Sequence, residues 1–206
     1  MVRKTKAEAQ RTRQQIIEAA RNVFHEHGVA RSTLEQVACR AGLTRGAVYW
    51  HFKDKAELFQ AVREDVFNPM HERLDAILLG NRYSNPLDAI EAALQEIFLV
   101  LDECPTVRQM MEIMLLRCEY ADEFATAQPE LERPGVEFLE RLEDAYGKAA
   151  AKGLLRPGAD PKAMALDTWV FIGGLLHVLI TRGFEARFKS QVRAMIAAHM
   201  ALRRPA

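Results

Sequence analysis

The sequence predicts an all-α protein of about nine helices. A three-helix helix-turn-helix domain occupies residues 1–53, and a larger helical domain occupies 54–206. Three observations predict this. Apolar residues recur at helical spacing through most of the chain. Only 8 prolines and 11 glycines interrupt 206 residues, and β-branched runs are few. The segment Thr33 to Phe59, TLEQVACRAGLTRGAVYWHFKDKAELF, reads as two short helices joined by a glycine turn and followed by a third.

The first helix is expected from about Lys6 to His27, with Ile16, Ala20, Val23, Phe24 and His27 on one face and Gly28 as its stop. Two overlapping capping boxes, Ser32-x-x-Glu35 and Thr33-x-x-Gln36, can start the second helix. Leu34, Val37 and Ala38 share its apolar face, and Gly42 can take the left-handed backbone that ends it. Thr44 can cap the third helix. There Val48 and Phe52 lie one turn apart and point inward, while Arg45, Gly46, Tyr49 and Trp50 lie opposite. A short helix that offers arginine, glycine and two aromatics to solvent suits a DNA major groove, where arginine grips a guanine edge bidentately. Gly46, without a side chain, lets the backbone come close to DNA.

The fourth helix is expected from Asp54 to about Leu79, opened by the D-x-x-E pair Asp54 and Glu57. Lys55 stands in its first turn, where the helix dipole disfavours a cation. One reading is an exposed lysine of no consequence. The other, favoured because local rules are broken at functional sites, is a DNA phosphate held by Lys55 and the helix N–H groups. Further helices are expected at about 86–103, 105–117, 135–152, 161–182 and 185–203. Pro129 and Pro134 are expected to break the chain ahead of the seventh.

Net charge is zero, but unevenly spread. Residues 1–55 hold 11 Lys/Arg against 5 Asp/Glu, and residues 56–206 hold 17 against 23. A basic head on an acidic body is the electrostatic footprint of a module that meets DNA with one end. Arg3, Lys4 and Lys6 can add salt-sensitive contacts. Cys39, Cys104 and Cys118 are too few and too widely spaced for a disulfide framework or a zinc site. Small buried apolar residues are the expected role, with a redox-sensing thiol as the alternative. His25 and His27, two apart on a helix, point to different faces and make no metal pair. No P-loop, G-x-G-x-x-G, G-x-S-x-G or H-E-x-x-H occurs, so neither an enzyme nor a cofactor is expected. The N-terminus lacks the apolar core of a signal peptide, and the run Trp169 to Ile180 is shorter than the ~20 residues of a membrane span. A cytoplasmic protein without a membrane partner is expected.

The run LTRGAVYWHFKDKAELF resembles the DNA-binding signature of the tetracycline-repressor (TetR) family of bacterial regulators. The opening TKAEAQRTRQQIIEAARNVFHEHGV is similar to that family's first helix, and the combination most resembles the subgroup that represses multidrug efflux pumps. The likeness is dense over roughly the first 60 residues and looser beyond. It implies an all-helical homodimer, released from operator DNA by a small ligand. It also implies phosphate contacts at Thr33, Thr44, Tyr49, His51 and Lys55, and base-edge contacts at Arg45, Gly46 and Trp50. In this reading the second domain binds the ligand and dimerises.

The eighth helix is apolar nearly all round, so it must be buried on more than one side, one of them against another subunit. Its Gly173 and Gly174 suit a close helix neighbour or a ligand. The ninth repeats apolar positions at Val192, Met195, Ile196, His199 and Met200, and helices eight and nine of two subunits are expected to form a four-helix interface. Met70, Phe98, Met110, Met111, Met114, Trp169, Ile172, Gly173 and His177 are the candidate ligand contacts. Such methionines serve either as ordinary core or as an adaptable pocket for apolar and aromatic compounds. His177 fits a satisfied core histidine or a pocket hydrogen bond, and Glu112 and Glu119 fit cation partners or surface charge. A ligand among the fourth, sixth and eighth helices would tilt the fourth and widen the spacing of the readers. It must favour that state by differential affinity. The alternatives are a regulator of a metabolic operon with a specific ligand, and a helical partner-binding protein without DNA function.

Overall fold

The computed structural model describes residues 5–118, 128–181 and 188–205, with backbone alone at 128–132. Those residues form nine helices and no strand. They are α1 (Lys6–His27), α2 (Leu34–Arg40), α3 (Arg45–His51), α4 (Lys55–Leu78), α5 (Pro86–Glu103), α6 (Pro105–Leu116), α7 (Gln128–Ala151), α8 (Pro161–Ile180) and α9 (Val192–Ala201). Two compact units result: Met1–Asn68 with Thr106–Leu131, and Pro69–Pro105 with Glu132–Ala206. These units are drawn differently from the 1–53 and 54–206 domains read from sequence. The first takes the N-terminal half of α4 together with α6, and the boundary falls inside α4 at Pro69.

Capping chemistry sets the helix starts of the first unit. Thr5 and Glu8 close a capping box on α1, and Thr33 and Gln36 close one on α2. The second box expected there does not form. Ser32 is buried, and its hydroxyl donates to Gly28 O at 2.6 Å, which leaves Glu35 for another partner. Gly42 takes φ +66, and Leu43 N–H reaches back to Ala38 O at 2.9 Å to seal the end of α2. Gln15 of α1 adds a side-chain hydrogen bond of 2.6 Å to Ala41 O.

The core of this unit is built on α1. Ile16, Ala20, Val23 and Phe24 are buried as expected, while His27 is exposed because Ile17 and Ala19 take up the inner arc. Phe24 meets Phe59 edge-on with ring centroids 5.8 Å apart. Each such side chain contributes about 1.5–3 kcal/mol on burial. Helix α6 lies along α1. Arg21 Nε donates to Gln109 Oε1 at 3.0 Å, His25 Nε2 lies 2.9 Å from Glu112 Oε2, and Val29 N–H donates to Arg117 O at 3.0 Å. Glu112 is thus a partner for His25, and Glu119 lies outside the described residues. Cys39 is exposed rather than buried, since it follows Val37 and Ala38 onto the outer side of α2. The three cysteines are all unbridged.

In the second unit α5 packs on α9, and both join a core with α7 and α8. The break expected at Pro129 and Pro134 is absent, because both residues lie inside α7. Pro129 sits in the first turn, where its missing N–H would have had no helical partner, and Pro134 costs a single hydrogen bond. Buried Tyr146 on α7 lies 2.7 Å from Thr168 Oγ1 of α8, which in turn lies 3.0 Å from His199 Nε2 of α9. Arg203, also buried, donates to His199 O at 2.7 Å and pairs with Asp167. Residues 182 and 185 lie outside the described residues, but α8 ends at Ile180 with Thr181 as its cap, and the single ninth helix expected over 185–203 is interrupted by a turn at Ser190 and Gln191, so that α9 opens only at Val192. At twenty residues α8 is long and apolar enough, by length and composition alone, to cross a membrane. Its buried face carries Thr168 in this polar chain, as suits a core helix.

The His199 ring stacks on Phe171 at 3.9 Å. Burial first, then the Arg203 charge, pushes its pKa down from 6.5 to about 4. The native state keeps this imidazole neutral where the unfolded chain takes up a proton. Its contribution to stability is therefore complete above pH 6.5 and is lost as pH falls towards about 4. Urea midpoints measured at about pH 7 and about pH 5 are expected to differ more in the wild type than in His199→Gln, which cannot titrate. Equal differences would remove His199 from the acid response.

Candidate nucleic-acid interface

Helix α3 has seven residues, too few to hold a helix unaided. Its geometry comes from two anchors: Val48 is 0% exposed and Phe52 1%. Arg13 of α1 lies over the outer face of the Phe52 ring, 5.1 Å from its centroid. Helical spacing then forces Arg45, Gly46, Tyr49 and Trp50 outward, and all four are exposed, Trp50 to 73%. Nothing lies within 4 Å of a Cβ added at Gly46, so its backbone is open to a partner.

The outward groups are ordered among themselves. Arg45 Nε lies 2.9 Å from Glu35 Oε1 on α2. Its guanidinium carbon stands 5.1 Å from the Tyr49 ring centroid, and Nη2 reaches Tyr49 Oη at 3.4 Å. Hydrogen bonding to Tyr49 first, then the Glu35 charge, raises the Arg45 pKa above its ordinary value. The Trp50 ring meets His51 edge-on at 4.5 Å. Thr33 and Thr44 cap α2 and α3, accepting the N–H groups of Gln36 and Ala47 at 3.2 Å. Accepting in this way leaves each hydroxyl proton able to donate to a phosphate oxygen.

Lys55 has partners inside the fold. Its ammonium is turned to the turn between α1 and α2, donating to Ala30 O at 3.0 Å and Ser32 O at 3.1 Å. The cation that breaks the dipole rule is compensated by two carbonyls of the fold. Glu35 was not singled out from sequence as a partner of Arg45, because the Ser32 capping box accounted for it. The available signal was an acid in the middle of a basic head.

The candidate ligand contacts fall in both compact units. Met110, Met111 and Met114 belong to the first unit, where Met110 is wholly buried and the other two are half-buried. Met70, Phe98, Trp169, Ile172, Gly173 and His177 belong to the second. Ile172 is buried in its core, Met70 and Phe98 are half-buried, and Trp169, Gly173 and His177 are exposed on α8. His177 is therefore neither a core histidine nor enclosed. It lies on the outward arc of α8 opposite Thr168, Leu175 and Leu179.

Residues 16–62 match the sequence profile of bacterial regulatory proteins of the tetR family. The chain is 36% identical over 179 residues to the HTH-type transcriptional regulator TtgR of Pseudomonas putida, a match that covers 86% of this chain and 84% of that one. The chain belongs to the TetR family. Among solved structures it is similar to NalD, the secondary repressor of the MexAB-OprM multidrug efflux pump in Pseudomonas aeruginosa. There the TM-score is 0.85 at 28% identity, covering 95% of this chain and 98% of NalD. It is also similar to a complex of triclosan with SmeT, the repressor of the Stenotrophomonas maltophilia multidrug efflux pump SmeDEF. That match has a TM-score of 0.79 at 36% identity and covers 92% and 91% of the two chains. These relatives are transcriptional regulators rather than enzymes.

Lys55→Ala is expected to lower unfolding free energy by about 1–3 kcal/mol through the two lost charge-assisted hydrogen bonds. If its ammonium also meets phosphate, the slope of log affinity against log salt falls by about one. Urea unfolding and binding titrations at several salt concentrations measure the two effects separately.

Proposed function

We infer that this TetR-family chain is a ligand-responsive repressor of a multidrug efflux pump operon. It binds operator DNA through α3 and is released by small apolar or aromatic compounds. The carrying observation is the outward surface of α3, where Arg45, Gly46, Tyr49 and Trp50 are exposed while Val48 and Phe52 are fully anchored. Arg45, Gly46 and Trp50 face base edges in this reading, and Thr33, Thr44, Tyr49, His51 and Lys55 line the phosphates. The names of NalD and SmeT support the efflux assignment, and the triclosan complex of SmeT supports an aromatic effector. Met70 and Phe98, half-buried in the second unit, are candidate effector contacts. A partner of this kind places the protein in the cytoplasm.

The working unit in this reading is a homodimer. Leu166, Trp169, Val170, Gly173 and His177 form an exposed stripe on α8, and Ala194, Ala197, Ala198 and Ala201 an exposed arc of small residues on α9. Nothing lies within 4 Å of a Cβ added at Gly173 or Gly174. An apolar stripe with a small-residue neighbour fits a self-complementary helical interface, which would bring two readers to half-sites about 34–36 Å apart.

A labelled promoter fragment from the chain's own gene neighbourhood is expected to shift on binding, and the shift to reverse with triclosan or a similar aromatic compound. Arg45→Ala is expected to weaken operator binding by about 1–3 kcal/mol and relax sequence preference. Unchanged affinity would remove Arg45 from base readout.

Sedimentation equilibrium at micromolar concentration is expected to give a dimer. Val170→Glu places an unpaired charge at the interface twice and should weaken association about 100-fold or more, with helix content retained. A monomeric wild type would defeat the interface.

A further inference from the structure

The chain carries an acid where a DNA reader least wants one. Glu35 stands on the exposed side of α2, 2.9 Å from the arginine at the head of the reader helix, in a segment otherwise dominated by cations. Its carboxylate would face the phosphates of a bound duplex, so by long-range electrostatics alone it lowers affinity for every sequence. Capping does not account for it. Thr33 and Gln36 close the box on α2, and Ser32 is bonded elsewhere.

We propose that Glu35 is a positioning residue for sequence readout: as an ion-pair partner on the Nε side it holds Arg45 so that the distal edge of the guanidinium meets a guanine. The carboxylate lies on the Nε side of the guanidinium. Glu35 Oε1 stands 2.9 Å from Nε as an ion-pair partner, and the guanidinium carbon lies 5.1 Å from the Tyr49 ring centroid one helical turn on. The contact to Tyr49 Oη, at 3.4 Å, is long enough to yield to a better acceptor. The pair of N–H groups on Nη1 and Nη2 is the fork that matches O6 and N7 of guanine. An arginine held on two sides loses less side-chain freedom on binding than a loose one. The same carboxylate neutralises Arg45 in place and competes with phosphate for it. Discrimination then rises at the expense of general affinity, and specificity is that difference.

This inference rests on the DNA-reading role of α3. Its test is a binding titration at one salt concentration with the intact chain, on an operator duplex, on duplexes with single guanines replaced by 7-deazaguanine, and on an unrelated duplex. For the wild type, one replacement per half-site is expected to cost about 5- to 150-fold. Glu35→Ala and Glu35→Gln should bind the unrelated duplex about 2- to 10-fold more tightly, since an acid facing phosphate is lost. The 7-deazaguanine penalty should shrink at least about fivefold in both variants. Combining Glu35→Ala with Arg45→Ala should give no more loss of discrimination than Arg45→Ala alone. If Glu35→Ala tightens all duplexes by one common factor and keeps the full penalty, Glu35 is a bystander charge and the proposal fails, with α3 still the reader. If the wild type binds no operator duplex more tightly than the unrelated one, the DNA-reading role fails first and this proposal goes with it.

Discussion

The burial of Val48 and Phe52 is the constraint on which the rest depends. A seven-residue helix has no stability of its own, because nucleation costs more than so few hydrogen bonds return. Two side chains one turn apart, both driven into a core built on α1, fix the position of α3 and its rotation about its own axis. Once rotation is fixed, every other position follows by geometry. Residues 45, 46, 49 and 50 have nowhere to point but out. The chemistry of the surface is thus set by what the opposite side buries. The same core draws α6 to α1 through Gln109 and Glu112, so a helix far along the chain shares a compact unit with the N-terminal segment.

Much of this was legible because local signals act over one turn. Thr33, Gly42 and Thr44 bound α2 and α3 where hydrogen-bonding chemistry says they should. The misreadings share a cause, which is competition from partners distant in sequence. Ser32 had a local use as a cap and was taken instead by Gly28 O. Pro134 had a strong breaking tendency and was overridden by a long helix with Leu142, Ala145 and Tyr146 to bury. His177 was misplaced because α8 is apolar all round, so periodicity gave no hint of which arc faces the core.

Helix α8 shows why composition alone misleads. Its apolar residues divide into an arc that holds Thr168, Ile172 and Leu175 against the unit's own core, and an arc from Leu166 to His177 that is left exposed. One polar group, Thr168, lies on the buried side and much of the apolar surplus on the exposed side. Thr168 is tolerated inside because Tyr146 and His199 complete its hydrogen bonding, and His199 is kept neutral by the same enclosure. The exposed stripe and the polar core chain are therefore two faces of one helix.

The head carries 11 Lys/Arg in its first 55 residues, but a count of cations overstates what DNA meets. Arg40 is forked onto Glu26, whose pKa is lowered chiefly by that hydrogen bond. Arg45 is paired with Glu35, and Lys55 is tied to two carbonyls. A cation already engaged inside the fold must exchange one partner for another to neutralise a phosphate, and it then leaves an acid or a carbonyl behind. The number of counterions released on binding, and with it the salt dependence, is set by the remainder. In the proposed reading, a head arranged in this way gives up general attraction in favour of shape and base contacts. That trade suits a regulator that a ligand must release from its operator, because a smaller differential affinity then suffices to shift the population.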